Sequence, residues 1–309
     1  MLIAGGEGNG DRAPRVARGQ RLTSDGSHGG SPPRMSLLAN ALRSLRRGRS
    51  SGAESASGTG GDVADNLRAK FARRLRGEGV EIGALASPLW LPRGARARYV
   101  DKFDYEKLCA HNPDVPPERI RRPDVVCDTM TLDLLPDHAY DFVIACHLLE
   151  HAHDPIRALL AWHRVLKPGG LALCIVPDAR YTFDRGRPLT SLDHLLWDFA
   201  SAGTEMKRLS DLAHVAECNL NMHASLDARS AIELGWRILE DSYDTHFHVW
   251  THDSLRAQLE SLIADYGLPF VLLESACDEQ VEMLFLLEAV PADPARFRLV
   301  DGVVPRATR

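Results

Sequence analysis

The sequence predicts an α/β fold: a Rossmann-like, doubly wound sheet of five parallel strands, a C-terminal antiparallel hairpin, and a helical insertion after strand 5. Three observations carry that expectation. Short apolar runs alternate with segments of helical spacing between residues 62 and 177, the pattern of βαβ units. The last two apolar runs, Phe270–Ser275 and Glu282–Ala289, have no helix between them, and parallel strands need a longer crossover, so only a hairpin fits. Residues 178–250, between the fifth strand and the last helix, far exceed an ordinary connection.

The elements follow in order. Val63, Leu67, Phe71 and Leu75 recur at helical spacing with basic residues between them, which predicts an amphipathic helix. Strands are expected at 79–83, 98–101, 125–128, 141–146 and 171–176, with a helix over 104–110 after the second. Asp154 followed by Pro155 reads as the N-cap and first position of a helix over 154–166, and Lys167-Pro168-Gly169-Gly170 stops it. The insertion shows helical stretches at 191–199, 206–217 and 227–241. A last helix over 251–266, with Leu255, Leu259, Leu262 and Ile263 on one face and Gly267 just beyond, leads into the hairpin.

These assignments divide the chain into a disordered segment 1–61, a ligand-binding half 62–177, a helical insertion or lid 178–250, a helix and hairpin 251–290 completing the same domain, and a tail 291–309. The first segment is rich in Gly, Ser and Arg with few large apolar residues, too little to offset the entropy of ordering. Within it, Met35–Arg49 is a short basic amphipathic stretch, and Met35 is an alternative start.

Composition narrows the function. Of 309 residues, 44% are hydrophobic, ordinary for a chain that buries a core. A formal charge of −5 argues against a general nucleic-acid binder. No apolar run approaches the ~18 residues of a membrane span. The six cysteines are scattered without a CxxC, so a reducing, cytoplasmic setting is expected.

In an open α/β sheet, ligands bind at the carboxyl ends of the strands. Glu81 and Gly83 close the first strand, and a glycine lets a ligand approach the backbone. Asp101 closes the second, about 20 residues on, where a carboxylate accepts both hydroxyls of a ribose. Asp128 closes the third, suited to an adenine amino group, and His147 follows the fourth. No GxGxxG is present: the first loop reads Gly83-Ala84-Leu85-Ala86-Ser87-Pro88, without the cradle a pyrophosphate needs.

The run Asp141-Phe142-Val143-Ile144-Ala145-Cys146-His147-Leu148-Leu149-Glu150-His151, then Asp154-Pro155 and Leu166-Lys167-Pro168-Gly169-Gly170, resembles the type 11 group of class I S-adenosylmethionine-dependent methyltransferases. Glu81-Ile82-Gly83 with Pro88-Leu89, the run Val176–Asp184, and His246-Phe247-His248-Val249-Trp250 resemble a branch of that group often associated with surface-glycan biosynthesis. The resemblance spans roughly residues 78–290. It implies S-adenosylmethionine as cofactor, with Glu81 and Gly83 at its methionine part, Asp101 at its ribose, Asp128 at its adenine, and His147 and Leu148 flanking it. LKPGG is then a structural turn.

The expected reaction is methylation of a small-molecule or sugar-type acceptor at oxygen. Methyl transfer chiefly requires alignment, and a hydroxyl acceptor benefits from a general base. His246, His248 and Asp178 are the candidate catalytic residues, the two histidines on the same side of an extended segment. Packing of the lid onto the domain is the competing reading for both histidines. No metal is expected: His223, His246, His248 and Asp178 lack tight ligand spacing. His163 is expected in the core, and His151 on a backbone group. Two other functions stay open, a non-catalytic binding protein retaining the fold and an NAD(P)-dependent oxidoreductase; the missing glycine fingerprint and the hairpin weigh against the second.

Overall fold

The computed structural model describes residues 66–223, 225–240, 245–278 and 281–293. The expected disordered segment, the stretch Met35–Arg49, Val63 and most of the tail lie outside the described residues.

Among the described residues a seven-stranded sheet runs in the order β3-β2-β1-β4-β5-β7-β6. Its strands are β1 (Gly77–Ile82), β2 (Ala95–Asp101), β3 (Val125–Val126), β4 (Tyr140–Cys146), β5 (Leu166–Pro177), β6 (Phe270–Cys277) and β7 (Glu282–Ala289). The first five pair in parallel. β7 then runs antiparallel beside both β5 and β6. The fold class expected from the sequence is the one observed.

Helices α1 (Leu67–Ala72), α2 (Tyr105–His111), α3 (Pro155–Val165) and α7 (His252–Tyr266) accompany the sheet, and α4 (Leu192–Ser201), α5 (Glu205–Met222) and α6 (Ala228–Glu240) form the insertion. Helix starts follow local chemistry: the side chains of Asp154, Ser191 and Thr204 accept the amides of Arg157, His194 and Lys207 at 3.0, 3.1 and 3.2 Å.

Alternation along β4 divides the core. Phe142 and Ile144 face Phe71, Ala72 and Leu75 beneath α1, with Leu173, Ile175, Leu284 and Leu286. Val143 and Ala145 face α3 and α7 through Ile156, Leu159, Trp162, Leu255 and Leu259. Leu195, Leu196 and Phe199 of α4 join this second cluster, so the insertion is anchored to the domain through α3. Gly79 is required by packing, since a Cβ there would lie 2.2 Å from the Phe142 ring.

Several boundaries differ from expectation, and three of the differences have a clear local cause or consequence. β3 stops after two residues, because Asp128 folds the chain back by accepting the amides of Met130 and Thr131 at 2.7 and 3.1 Å. β5 begins at Leu166, not Leu171: LKPGG lies inside the strand as an irregularity between the pairs Tyr140–Leu166 and Phe142–Leu171. α1 is a short helix, Leu67–Ala72, and Leu75 is buried just beyond it. No described helix is long and apolar enough to cross a membrane.

Candidate active site

β1 delivers Glu81 to the carboxyl edge of the sheet with 1% of its surface exposed. Its Oε1 accepts the amide of Leu89 at 2.8 Å, while the buried Oε2 has no hydrogen-bond partner. Burial pushes this carboxyl up to about 7, against the opposing pull of the Leu89 amide, Arg68 and Arg121. Gly83 follows at φ +67°, a conformation L side chains rarely adopt, and a Cβ built there meets nothing within 4 Å. An unpaired buried carboxylate oxygen beside an open backbone approach fits the amino-acid end of S-adenosylmethionine.

The loop after Gly83 is not a phosphate cradle. Residues 84–94 contain turns but no helix, so no helix N-terminus is offered to an anion there. Asp101, at the end of β2, is 9% exposed and accepts the Phe103 amide at 3.1 Å. Asp128 is exposed and organises its turn.

β4 ends in a line of charge. His147, at φ +51°, places Nε2 2.8 Å from Glu282 Oε1, and Nδ1 3.5 Å from Glu150 Oε1. Arg68 of α1 holds the other side of Glu282, with Nε 2.6 Å from Oε2. Burial would depress the His147 imidazole, but Glu150 and Glu282 outweigh it and raise it to about 9. Burial likewise opposes ionisation of Glu282, and the His147 and Arg68 bonds bring it down to about 2. Leu148 packs against the main core.

Glu150 lies in the short turn Leu149–His151, 1% exposed, with neither carboxylate oxygen hydrogen-bonded. Three imidazoles surround its Oε1: His147 Nδ1 at 3.5 Å, His151 Nε2 at 3.8 Å and His246 Nε2 at 4.0 Å. Desolvation favours the neutral acid, yet the imidazoles hold Glu150 below the usual carboxylate range. Its backbone carbonyl accepts the amides of Phe247 and His248 at 2.9 and 3.2 Å, which clips the end of the insertion to the end of β4.

The candidate acceptor-side residues have separate partners. His246 Nδ1 is 2.6 Å from Asp184 Oδ2, whose other oxygen accepts from Arg187 at 2.6 Å. His248 is 1% exposed and stacks on Trp250 at 5.3 Å. Its Nε2 bonds Asp198 at 2.9 Å, in a cluster with His194 and Lys207. Asp178 is fully buried and ion-paired with Arg180 at 2.7 Å; burial resists its ionisation, but the Arg180 bonds lower it overall. His163 Nε2 donates to the Val290 carbonyl at 2.8 Å beside Phe270, and His151 Nδ1 lies 2.9 Å from the Thr245 carbonyl.

Sequence reasoning passed over Arg68, Asp184, Glu150 and Glu282. Glu150 stood in a quoted motif but was not singled out. Glu282 opens an antiparallel strand, so its N-terminal end meets the carboxyl edge of the sheet, across from Pro177; a search limited to strand C-termini misses it.

Residues 47–262, well over half the chain, match the family model described as "Methyltransferase domain". A comparison with curated proteins returned no match. Among solved structures, a SAM-dependent methyltransferase from Aquifex aeolicus is 10% identical at TM-score 0.38, over 70% of this chain and 85% of that one. A Thermotoga maritima SAM-dependent methyltransferase, described as a possible histamine N-methyltransferase, is 14% identical at TM-score 0.38, over 70% and 83%. A Rhodobacter sphaeroides structure titled a putative Zn-dependent alcohol dehydrogenase is 17% identical at TM-score 0.43, over 74% and 91%. Values this low leave the fold to rest on the sheet order itself.

Proposed function

The chain belongs to the methyltransferase domain family, an S-adenosylmethionine-dependent methyltransferase, and from that premise we propose that it methylates a hydroxyl of a small-molecule or sugar-type acceptor. S-adenosylmethionine, when bound, supplies an electrophilic methyl group on a sulfonium. The residues of this chain must hold it, exclude water and align an acceptor oxygen.

On the cofactor side, Glu81 receives the ammonium of the methionine part, Gly83 admits its backbone, Asp101 takes the ribose hydroxyls and Asp128 the adenine. His147 and Leu148 wall the cofactor from β4. This assignment is supported by the orphaned Glu81 Oε2 and the open approach at Gly83.

The acceptor reading rests on one observation: the end of the lid meets β4 through a buried polar cluster, Glu150, His151 and His246, backed by Asp184. A wall of carboxylate and imidazole suits a hydroxylated acceptor better than an apolar one. Of His246, His248 and Asp178, His246 belongs to this cluster, which supports assigning it the acceptor side. His248 and Asp178 are assigned to positioning, His248 by tying the lid to Asp198 and Asp178 by fixing the turn after β5 through Arg180. The resemblance of residues 176–184 and 246–250 to a glycan-associated branch favours a sugar hydroxyl.

The test is transfer of labelled methyl from S-adenosylmethionine to a panel of nucleotide sugars, glycosides, amines and thiols. Mass spectrometry of a product methylated at a sugar oxygen supports the reading. Transfer confined to amines or thiols overturns it.

A further inference from the structure

We propose that Glu150, His151 and His246 bind a divalent transition-metal cation where the lid meets the end of β4. The three side chains each offer one ligand atom, all within 4.8 Å of one another. Glu150 Oε1 stands 3.8 Å from His151 Nε2 and 4.0 Å from His246 Nε2. Metal–ligand bonds of about 2.0–2.2 Å place tetrahedral ligand atoms roughly 3.3–3.5 Å apart. Closing the site brings Glu150 nearer each imidazole by a few tenths of an ångström and draws together the two histidine nitrogens, which lie within 4.8 Å of each other.

The hydrogen bonds around the cluster favour ligation. His246 Nδ1 faces Asp184 at 2.6 Å and His151 Nδ1 faces the Thr245 carbonyl at 2.9 Å. Both partners are acceptors, so each Nδ1 carries the proton, and in the neutral ring Nε2 presents a lone pair toward Glu150. A histidine oriented by a carboxylate or carbonyl through its second nitrogen is the usual arrangement behind a metal ligand. Meanwhile both Glu150 oxygens are buried without a hydrogen bond. Three groups able to ligate a cation therefore meet at one point, with both Glu150 oxygens buried there.

The neighbouring cluster of His194, Asp198 and His248 makes the contrast. It too brings three possible ligand atoms together, but Asp198 is bonded directly to His248 at 2.9 Å and lies 3.2 Å from the Lys207 ammonium. Its cation is already built in. At Glu150 the imidazolium of His147 stands farther off, at 3.5 Å, and is engaged by Glu282 at 2.8 Å. Two imidazoles and one carboxylate suit Zn²⁺, Co²⁺ or Mn²⁺ better than Mg²⁺, which prefers an all-oxygen shell. The role of such a cation, to hold the acceptor's oxygen, rests on the preceding functional reading; the site itself does not.

The test is titration of the full-length, chelator-treated chain with Co²⁺ or Zn²⁺ alone, read by calorimetry and by the visible bands of Co²⁺. One equivalent should bind, and Glu150→Gln and His246→Ala should each weaken binding by about 30-fold or more. His248→Gln should retain it within about threefold, and Zn²⁺ should raise the melting temperature of the native chain but not of Glu150→Gln. S-adenosylhomocysteine affinity, measured on every variant, reports that the fold survives. Absence of stoichiometric binding by the native chain overturns the site, as does binding that Glu150→Gln and His246→Ala leave intact. Full methyl transfer by metal-free protein sinks the cation's role and leaves the hydroxyl reading standing. Cation binding without transfer to any hydroxyl does the reverse.

Discussion

Glu282, the first residue of the last strand, reaches across the end of β5 to place its carboxylate 2.8 Å from Nε2 of His147, 135 residues earlier in the chain. The same carboxylate receives Arg68 from α1. Glu282 thus ties together α1, β4 and β7 at the edge of the sheet where the parallel strands end. Its truncation strands two cations in part-buried positions.

Glu282→Ala should therefore destabilise the domain by roughly 2–4 kcal/mol, somewhat below the about 3–5 kcal/mol of a fully buried broken pair. For a domain this size that corresponds to a melting temperature lower by roughly 5–15 °C. Thermal unfolding monitored by circular dichroism measures it. A shift of less than about 2 °C would mean the bridge contributes no more than an exposed ion pair.

If Glu81 receives the cofactor's ammonium, as proposed, cofactor affinity depends on pH. Its carboxyl is raised to about 7 by burial, and it must be ionised to receive an ammonium group. Protonation below 7 therefore opposes binding, by up to about tenfold per pH unit. S-adenosylhomocysteine should bind more tightly at pH 8 than at pH 6, and Glu81→Gln should flatten the profile while weakening affinity at pH 8. An unchanged profile in the variant would remove Glu81 from the methionine end.

Gly83→Ala separates backbone strain from ligand contact. At φ +67° an alanine costs about 1–2 kcal/mol of stability, and no protein atom lies in the way of its Cβ. A larger loss in cofactor affinity than in stability is expected, because the methyl group enters the approach itself. Equal losses would indicate strain alone.

The helical insertion should loosen in acid. His214 of α5 is depressed to about 4 by burial and by the like charges of His194, His248 and Lys207, against the opposing Asp198. Because its folded value lies below the unfolded 6.5, the stability it contributes is complete above pH 6.5 and declines as pH falls toward 4. Between pH 7 and pH 5 this amounts to about 1–2 kcal/mol. Comparing the pH dependence of unfolding in the native chain and His214→Gln isolates it, and parallel curves would contradict the assignment.

Much of this architecture was legible in local chemistry. Asp154 caps α3 as expected, Thr251 stands one residue outside the last helix as its N-cap, and the apolar runs of β1, β4 and β5 announce a sheet buried on both faces. The missing helix after β1 follows from Pro88 and Pro92. What stayed hidden depends on register and long-range pairing. Nothing around Glu282 marks it as facing His147; that follows only once β7 lies antiparallel beside β5. Periodicity likewise put His246 and His248 on one face, but Asp184 and Asp198 draw them into different clusters. Glu150 is not marked by its own neighbourhood, because His147 and His151 close around it only in the turn after β4 and His246 arrives from the far end of the insertion.

The central claim is that Glu81, Gly83 and Asp101 form a site for S-adenosylmethionine. Calorimetric titration of the full chain with S-adenosylhomocysteine, with NAD as control, tests it most directly when repeated on Asp101→Ala. Micromolar binding of the first, none of NAD, and a loss of about 1.5–3 kcal/mol in the variant are predicted. Binding of NAD, or undiminished S-adenosylhomocysteine affinity in a folded Asp101→Ala chain, would contradict it.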